Sequence, residues 1–227
     1  MVTAMNYNVA AEILNRHIFG EEKPTILDSL ARDPERFLGL FRPSKPQTKI
    51  LQHVLQSNEI RFGDAMEELI RCMIADLGFT NLPTKVKAAD GDDLSLDQHF
   101  ASSKHYYFVE QKVRDDHDST KKRGQIQNFE RKLNALLPLH ARALSGIMYF
   151  IDPEFTKNKN YYAAQLVSFQ STYSTELRLF YGAEFFAFLG RPIAWVNLID
   201  WLTRWKQALP DLPEINFDID PAQSFKD

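Results

Sequence analysis

Apolar side chains recur at helical spacing through residues 1–80 and then shift to the shorter period of strands. Asp33-Pro34-Glu35 is a cap followed by a proline suited to a first helical position, predicting a short helix that ends near Phe41-Arg42-Pro43. Ser44-Lys45-Pro46 opens a second helix with Ile50, Leu51, Val54 and Leu55 on one face. Gly63-Asp64 leads into a third, Ala65 to Leu77, where Met66, Leu69, Ile70, Met73 and Ile74 form an apolar stripe that Gly78 closes.

The middle of the chain reads differently. Thr84 to Ala88 is a short extended piece, and Asp90-Gly91-Asp92 is a turn signal. Two strands follow, Leu94 to Phe100 and Tyr106 to Val113, and the short link between them predicts antiparallel pairing. Asp118-Ser119-Thr120 can cap a long helix running to about Leu137, with Pro138 as its stop. Ala143 to Ile151 is apolar throughout and reads as a buried strand, a helix is expected around Tyr161 to Phe169, and Glu176 to Tyr181 alternates like a strand. Phe185 to Leu189 and Pro192 to Leu209 are helical, and the tail after Pro210 looks irregular. This order predicts an α/β (α+β) protein: a central mixed β-sheet flanked by helices, with a helical N-terminal region.

Composition narrows the class. With 227 residues, 44% of them hydrophobic, one domain with a substantial core is expected, residues 1–80 mainly helical and 81–227 holding the sheet. A single cysteine excludes an intrachain disulfide and a cysteine-built zinc site; Cys72 falls on an apolar helix face and reads as a core thiol. The net charge of −3 neither favours nor excludes a polyanionic partner, because one basic face can coexist with acids elsewhere. The N-terminus lacks the apolar segment of a signal peptide, and the apolar region from Phe185 to Leu202 is broken by Gly190-Arg191-Pro192 and Asp200. A cytoplasmic protein without a membrane span is expected.

The candidate chemistry lies in the strand pair. Glu110 and Lys112 are two apart on a strand and project to the same face. Asp97, on the preceding strand, can supply a second carboxylate, and its flanking alternation favours it over the acidic turn at Asp90, Asp92 and Asp93. Mg²⁺ takes hard oxygen ligands and keeps several waters, so Asp97, Glu110 and the backbone carbonyl of Gln111 suffice to hold it. Such an ion polarises a scissile phosphate and lowers the pKa of water, with Lys112 beside it to orient the nucleophile and stabilise developing charge. Glu67 and Glu68 on the preceding helix are candidates for an acid standing behind the ligands. Downstream, Lys121, Lys122 and Arg123 place cations at a helix N-terminus, where the macrodipole favours acids; a docked phosphate accounts for that sign. Arg114, Ser119, Gln125, Gln127 and Asn128 add groups suited to phosphates or base edges. Asp115, Asp116 and Asp118 either balance these cations or extend the metal site, and His117 is a candidate general base.

Asp97 followed after twelve residues by Glu110-x-Lys112 resembles the PD-(D/E)xK nuclease signature, with Leu96 where the proline stands. Within that superfamily the chain most resembles the type II restriction endonucleases, in its size, in the paired Glu67-Glu68 ahead of the strands, and in the run from Glu110 to Asp118. Gln125 with Phe129 is similar to the Gln-xxx-Tyr element of some members, with Phe for Tyr. The resemblance implies a restriction-endonuclease-like fold and Mg²⁺-dependent, sequence-specific cleavage of double-stranded DNA. Asp97 and Glu110 become the metal ligands and Lys112 the catalytic lysine. It also implies a homodimer on a palindromic site, with the Trp-rich C-terminal helix or the N-terminal helices as its interface. Two alternatives remain at this level: a structure-selective or repair nuclease of the same superfamily, and a catalytically silent DNA-binding protein.

Overall fold

The structure is a computed structural model that describes residues 4–20, 32, 43–88, 90–140 and 143–209. The helix expected from Asp33 to Phe41 and the tail after Pro210 lie outside the described residues. Helix α1 (Tyr7–Phe19) starts where the Asn6 side chain accepts bonds from the backbone N–H groups of Asn8 and Val9. Helix α2 (Pro46–Asp76) runs unbroken for 31 residues, where the sequence predicts two helices parted at Gly63-Asp64. An internal glycine costs a helix only about 1 kcal/mol. The buried stripe Ala65, Met66, Leu69, Ile70, Met73 and Ile74 anchors the following turns firmly enough to carry the helix through it. At the other end Gly78 takes a positive φ of 91°, which ends the helix where expected.

Five strands form the main sheet: β1 (Thr80–Asn81), β4 (Gln98–Ala101), β5 (Tyr106–Lys112), β6 (Leu144–Phe150) and β7 (Glu176–Tyr181), in that spatial order. The pairs β1–β4 and β4–β5 are antiparallel, while β5–β6 and β6–β7 are parallel, so the sheet is mixed as predicted. A separate two-stranded piece pairs β2 (Lys85–Lys87) with β3 (Asp93–Ser95). The stretch Leu94 to Phe100, expected as one strand, is therefore divided between two sheets. Its break falls at Leu96 and Asp97. Leu96 N–H donates to the Thr84 carbonyl and the Asp97 carbonyl accepts from the Arg71 guanidinium at 2.7 Å, so the backbone between the sheets is not left unpaired.

Helices α3 (Ser119–His140) and α4 (Lys159–Tyr173) make the two crossovers between parallel strands. The Asp118 carboxylate caps α3 by accepting from Thr120 and Lys121 N–H at 2.9 and 2.8 Å, as predicted. Pro138, expected as a stop, instead sits in the last turn of α3, which continues to His140. The chain ends its described part with the short α5 (Ala183–Phe188) and with α6 (Pro192–Gln207).

Alternation along the strands separates two cores. Val109, Ile147 and Tyr149 join the apolar faces of α1, α2, α5 and α6, whereas Phe108, Met148 and Phe150 join Ile126, Phe129 and Leu133 of α3 and Tyr162 and Leu166 of α4. Helices thus cover both faces of the sheet. At the centre, a Cβ on Gly146 would lie 2.7 Å from the Phe108 ring and 2.8 Å from Leu177, so the neighbouring strands fit only around a glycine. Because Glu110 and Lys112 share the parity of Phe108, they project towards α3.

Candidate active site

Strand β5 builds most of the site. Its last turns of the pleat set Glu110 and Lys112 on the α3 face, and the backbone N–H of Gln111 donates to Asp97 Oδ2 at 2.7 Å. That bond draws the Asp97 carboxylate from the break between β3 and β4 to the end of β5. The β4–β5 register Gln98↔Val109 fixes the same proximity. Gln98 reinforces it, donating through its amide to the Glu67 carbonyl at 2.8 Å and to Gln111 Oε1 at 3.2 Å.

Three protein oxygens surround one point. Lys112 Nζ lies 3.1 Å from Asp97 Oδ2, 3.3 Å from Glu110 Oε1 and 2.8 Å from the Gln111 carbonyl. Burial pulls the Lys112 ammonium towards losing its proton, but the Glu110 and Asp97 carboxylates outweigh that and raise its pKa above the ordinary lysine value. The two carboxylates thus set a negative potential at the point where Nζ sits. Two carboxylates and a carbonyl around one cationic centre are the donor set Mg²⁺ accepts when waters and phosphate oxygens complete its shell. Among the described residues no third carboxylate, imidazole or thiolate joins them.

Glu67 and Glu68 part company. Burial, aided by the nearby Asp97 charge, pushes Glu67 up to about 7, so Glu67 faces the site's electrostatics. Glu68 does not: it pairs with Arg16 at 2.5 Å and His17 at 2.7 Å on α1, which holds its carboxyl below the usual range against the opposing pull of burial. On a helix, consecutive residues point about 100° apart, and only one can face the sheet. The acidic turn offered as a substitute for Asp97 is also elsewhere, with Asp90 and Asp92 both bound by Arg131 at 2.6 Å.

The cleft over the carboxylates is lined by His117, Lys121, Gly124, Gln125 and Asn128 together with Lys112 and Lys132. Of the residues expected to meet DNA, Lys121, Gln125 and Asn128 are thus brought to the site. The Asn128 amide reaches Glu110 Oε1 at 3.5 Å. Gln125 is 8% exposed; its carbonyl accepts from Tyr162 O–H at 3.1 Å, and its buried amide nitrogen is without a partner. The others are not assembled there. Lys122 lies over the Tyr161 ring and Arg114 pairs with Asp152 at 3.6 Å, while Ser119, Arg123 and Gln127 are exposed outside the cleft lining. Asp115 extends no metal site. It is 0% exposed and accepts from Asn158 N–H, from the Asn158 amide and from Tyr181 O–H at 2.8, 2.8 and 2.9 Å. His117 stands at the cleft with its Nδ1 3.4 Å from Tyr162 Oη.

One principal residue escaped the sequence reading. Lys132 of α3 is 4% exposed, bonded to Asp97 Oδ1 at 3.4 Å and to Glu110 Oε2. Gln125, Phe129, Lys132 and Leu136 follow helical spacing, so Lys132 interrupts the buried stripe of α3. A charge at such a position is the signal that it has a buried partner.

A mixed sheet covered by helices on both faces, with a carboxylate pair and a lysine at the end of a central strand, defines a protein of the restriction-endonuclease-like class. The family described as HinfI, type II restriction endonuclease, matches this chain over residues 6–91 and 83–206. The chain belongs to that family of type II restriction endonucleases. No curated protein matches it. Among the described residues no helix is long and apolar enough to cross a membrane.

Proposed function

We propose that this endonuclease hydrolyses phosphodiester bonds of double-stranded DNA at a specific sequence, using Mg²⁺ held by Asp97, Glu110 and the Gln111 carbonyl. The observation that carries the reading is the convergence of those three oxygens within 3.3 Å of the Lys112 ammonium. Bound there, Mg²⁺ supplies Lewis acidity towards the scissile phosphate and makes hydroxide accessible near neutral pH.

The protein's own groups do the rest. With the carboxylate oxygens given over to the cation, the Lys112 ammonium turns to the phosphate, orients the attacking water and stabilises charge on the pentavalent phosphorus. Gln125 offers its unpartnered amide N–H to a phosphate oxygen, its orientation held by Tyr162. Lys121 and Asn128 line the approach and bind the backbone of the duplex. Glu67 stands behind the ligands as an acid that responds to the charge in front of it. A homodimer sets one such centre against each strand of a palindromic site. A cytoplasmic location follows from that substrate.

Digestion of a DNA of known sequence with Mg²⁺, followed by sequencing of the fragment ends, tests this directly. Discrete fragments sharing one end sequence are expected, and Lys112→Ala should keep duplex binding while losing on the order of 10²–10³-fold in cleavage rate. Cutting confined to branched or damaged DNA would favour a structure-selective nuclease. Binding with no cutting would favour a silent DNA-binding protein.

A further inference from the structure

Lys132 and Lys112 divide the two carboxylates between them. Asp97 gives Oδ2 to Lys112 and Oδ1 to Lys132; Glu110 gives Oε1 to Lys112 and Oε2 to Lys132. The Lys112 side chain is 34% exposed, whereas that of Lys132, in the α3 wall of the same cleft, is 5% exposed. A cation reaching the site from the cleft meets Oδ2, Oε1 and the Gln111 carbonyl. The Lys132 ammonium stays where it is, held by the far oxygens in the core between α3 and the sheet.

The charges then matter. Two carboxylates and two ammonium groups cancel, so a dication arriving alone adds two positive charges to a partly buried site, with the Glu67 carboxyl as a further acid near it. Lys112 can swing outward into the cleft; Lys132 cannot. Its charge continues to repel the cation across the carboxylates at a separation where one unit charge changes affinity by large factors. A DNA phosphate entering the cleft supplies negative charge from the other side. We propose that Lys132 is a fixed counter-charge that keeps divalent-cation affinity low in the free protein and so makes cation and duplex bind together. Lys132 is a positioning residue in this scheme: it stands in the cleft wall, but its ammonium is bonded to the two carboxylates. The inference rests on the reading of Asp97, Glu110 and Gln111 as the cation's ligands.

Calorimetric titration of Ca²⁺ into the full chain, with and without a duplex oligonucleotide of the sequence recovered from cleaved ends, tests it. Lys132→Gln should bind Ca²⁺ roughly tenfold or more tightly without DNA, and the gain on adding duplex should shrink by a similar factor. Lys132→Arg, which keeps the charge, should retain the weak binding and the strong coupling. Unchanged or weaker Ca²⁺ binding by Lys132→Gln overturns the proposal, weaker binding showing that Lys132 serves to hold the carboxylates together. If Lys132→Gln does not fold alone, Ca²⁺ should restore its cooperative melting transition, and failure to do so overturns the proposal too. Wild-type protein that binds no Ca²⁺ with or without DNA, indistinguishably from Asp97→Asn, would remove the underlying ligand assignment instead.

Discussion

Asp97 reaches Glu110 and Lys112 through a backbone amide rather than through its place on a strand. The Gln111 N–H at 2.7 Å holds its carboxylate, and the Arg71 guanidinium holds its carbonyl. The alternation from Leu94 to Phe100 singles out Asp97 for an incomplete reason. Beyond Ser95 the alternation fails, because Asp97, Gln98 and His99 are all buried on partners from other elements. Glu110 and Lys112 were legible because strand periodicity is local. Lys132 was not read, since its partners lie 22 and 35 residues away in sequence. Glu67 carries a pH signature of its own. Its carboxyl, ordinarily near 4.5, is pushed up to about 7 in the fold by burial and the nearby Asp97 charge. Between those values the folded chain binds the extra proton, so rising pH removes stability through that window and nothing further above it. In metal-free protein, Glu67→Gln should therefore gain stability relative to wild type as pH rises from about 4.5 to about 7. Urea denaturation at several pH values measures this; a difference between the two proteins that does not change with pH would refute the assignment.

At the scale of elements, the sheet and its crossovers were legible from period, length and turn residues, while continuity was not. Gly63 looks like a boundary, but burial along the rest of α2, from Ala65 to Ile74, outweighs one glycine. The division of Leu94–Phe100 depends on its first residues pairing with Lys85–Lys87 across the Asp90-Gly91-Asp92 turn, a pairing that the extended piece and the turn signal allow but do not fix. Residues 113–118, which carry His117 over the cleft, are joined to α4 and β7 by the buried Asp115 carboxylate. Asp115→Ala strands three donors at once and should cost about 3 kcal/mol. For a chain of this length that corresponds to a melting temperature lower by roughly 6–12 °C, readable by circular dichroism. A loss under about 1 kcal/mol would show that the network does not secure the segment.

Across the whole molecule, the basic residues after β5 sort into those at the cleft and those engaged elsewhere. Net charge of −3 hides this, because it averages over faces. Lys121→Ala should reduce the slope of log affinity against log salt for duplex DNA by about one, the mark of one lost phosphate contact. Arg114→Ala, whose side chain pairs with Asp152 and lies over Phe155, should leave that slope unchanged. The reverse pattern would place the duplex on another face. On α6 the tryptophan face is core, with Trp201 and Trp205 buried and Trp205 donating to Asn15 of α1 at 2.9 Å, while Ile193, Val196 and Ile199 of the same helix are exposed.

The most direct measurement is anomalous diffraction from crystals of the protein grown with Mn²⁺ and duplex DNA. A manganese peak about 2.2 Å from carboxylate oxygens of both Asp97 and Glu110 and from the Gln111 carbonyl, with Lys112 turned towards a phosphate, is the expected result. Manganese bound at other residues, with Asp97 and Glu110 still paired only to Lys112 and Lys132, would contradict it.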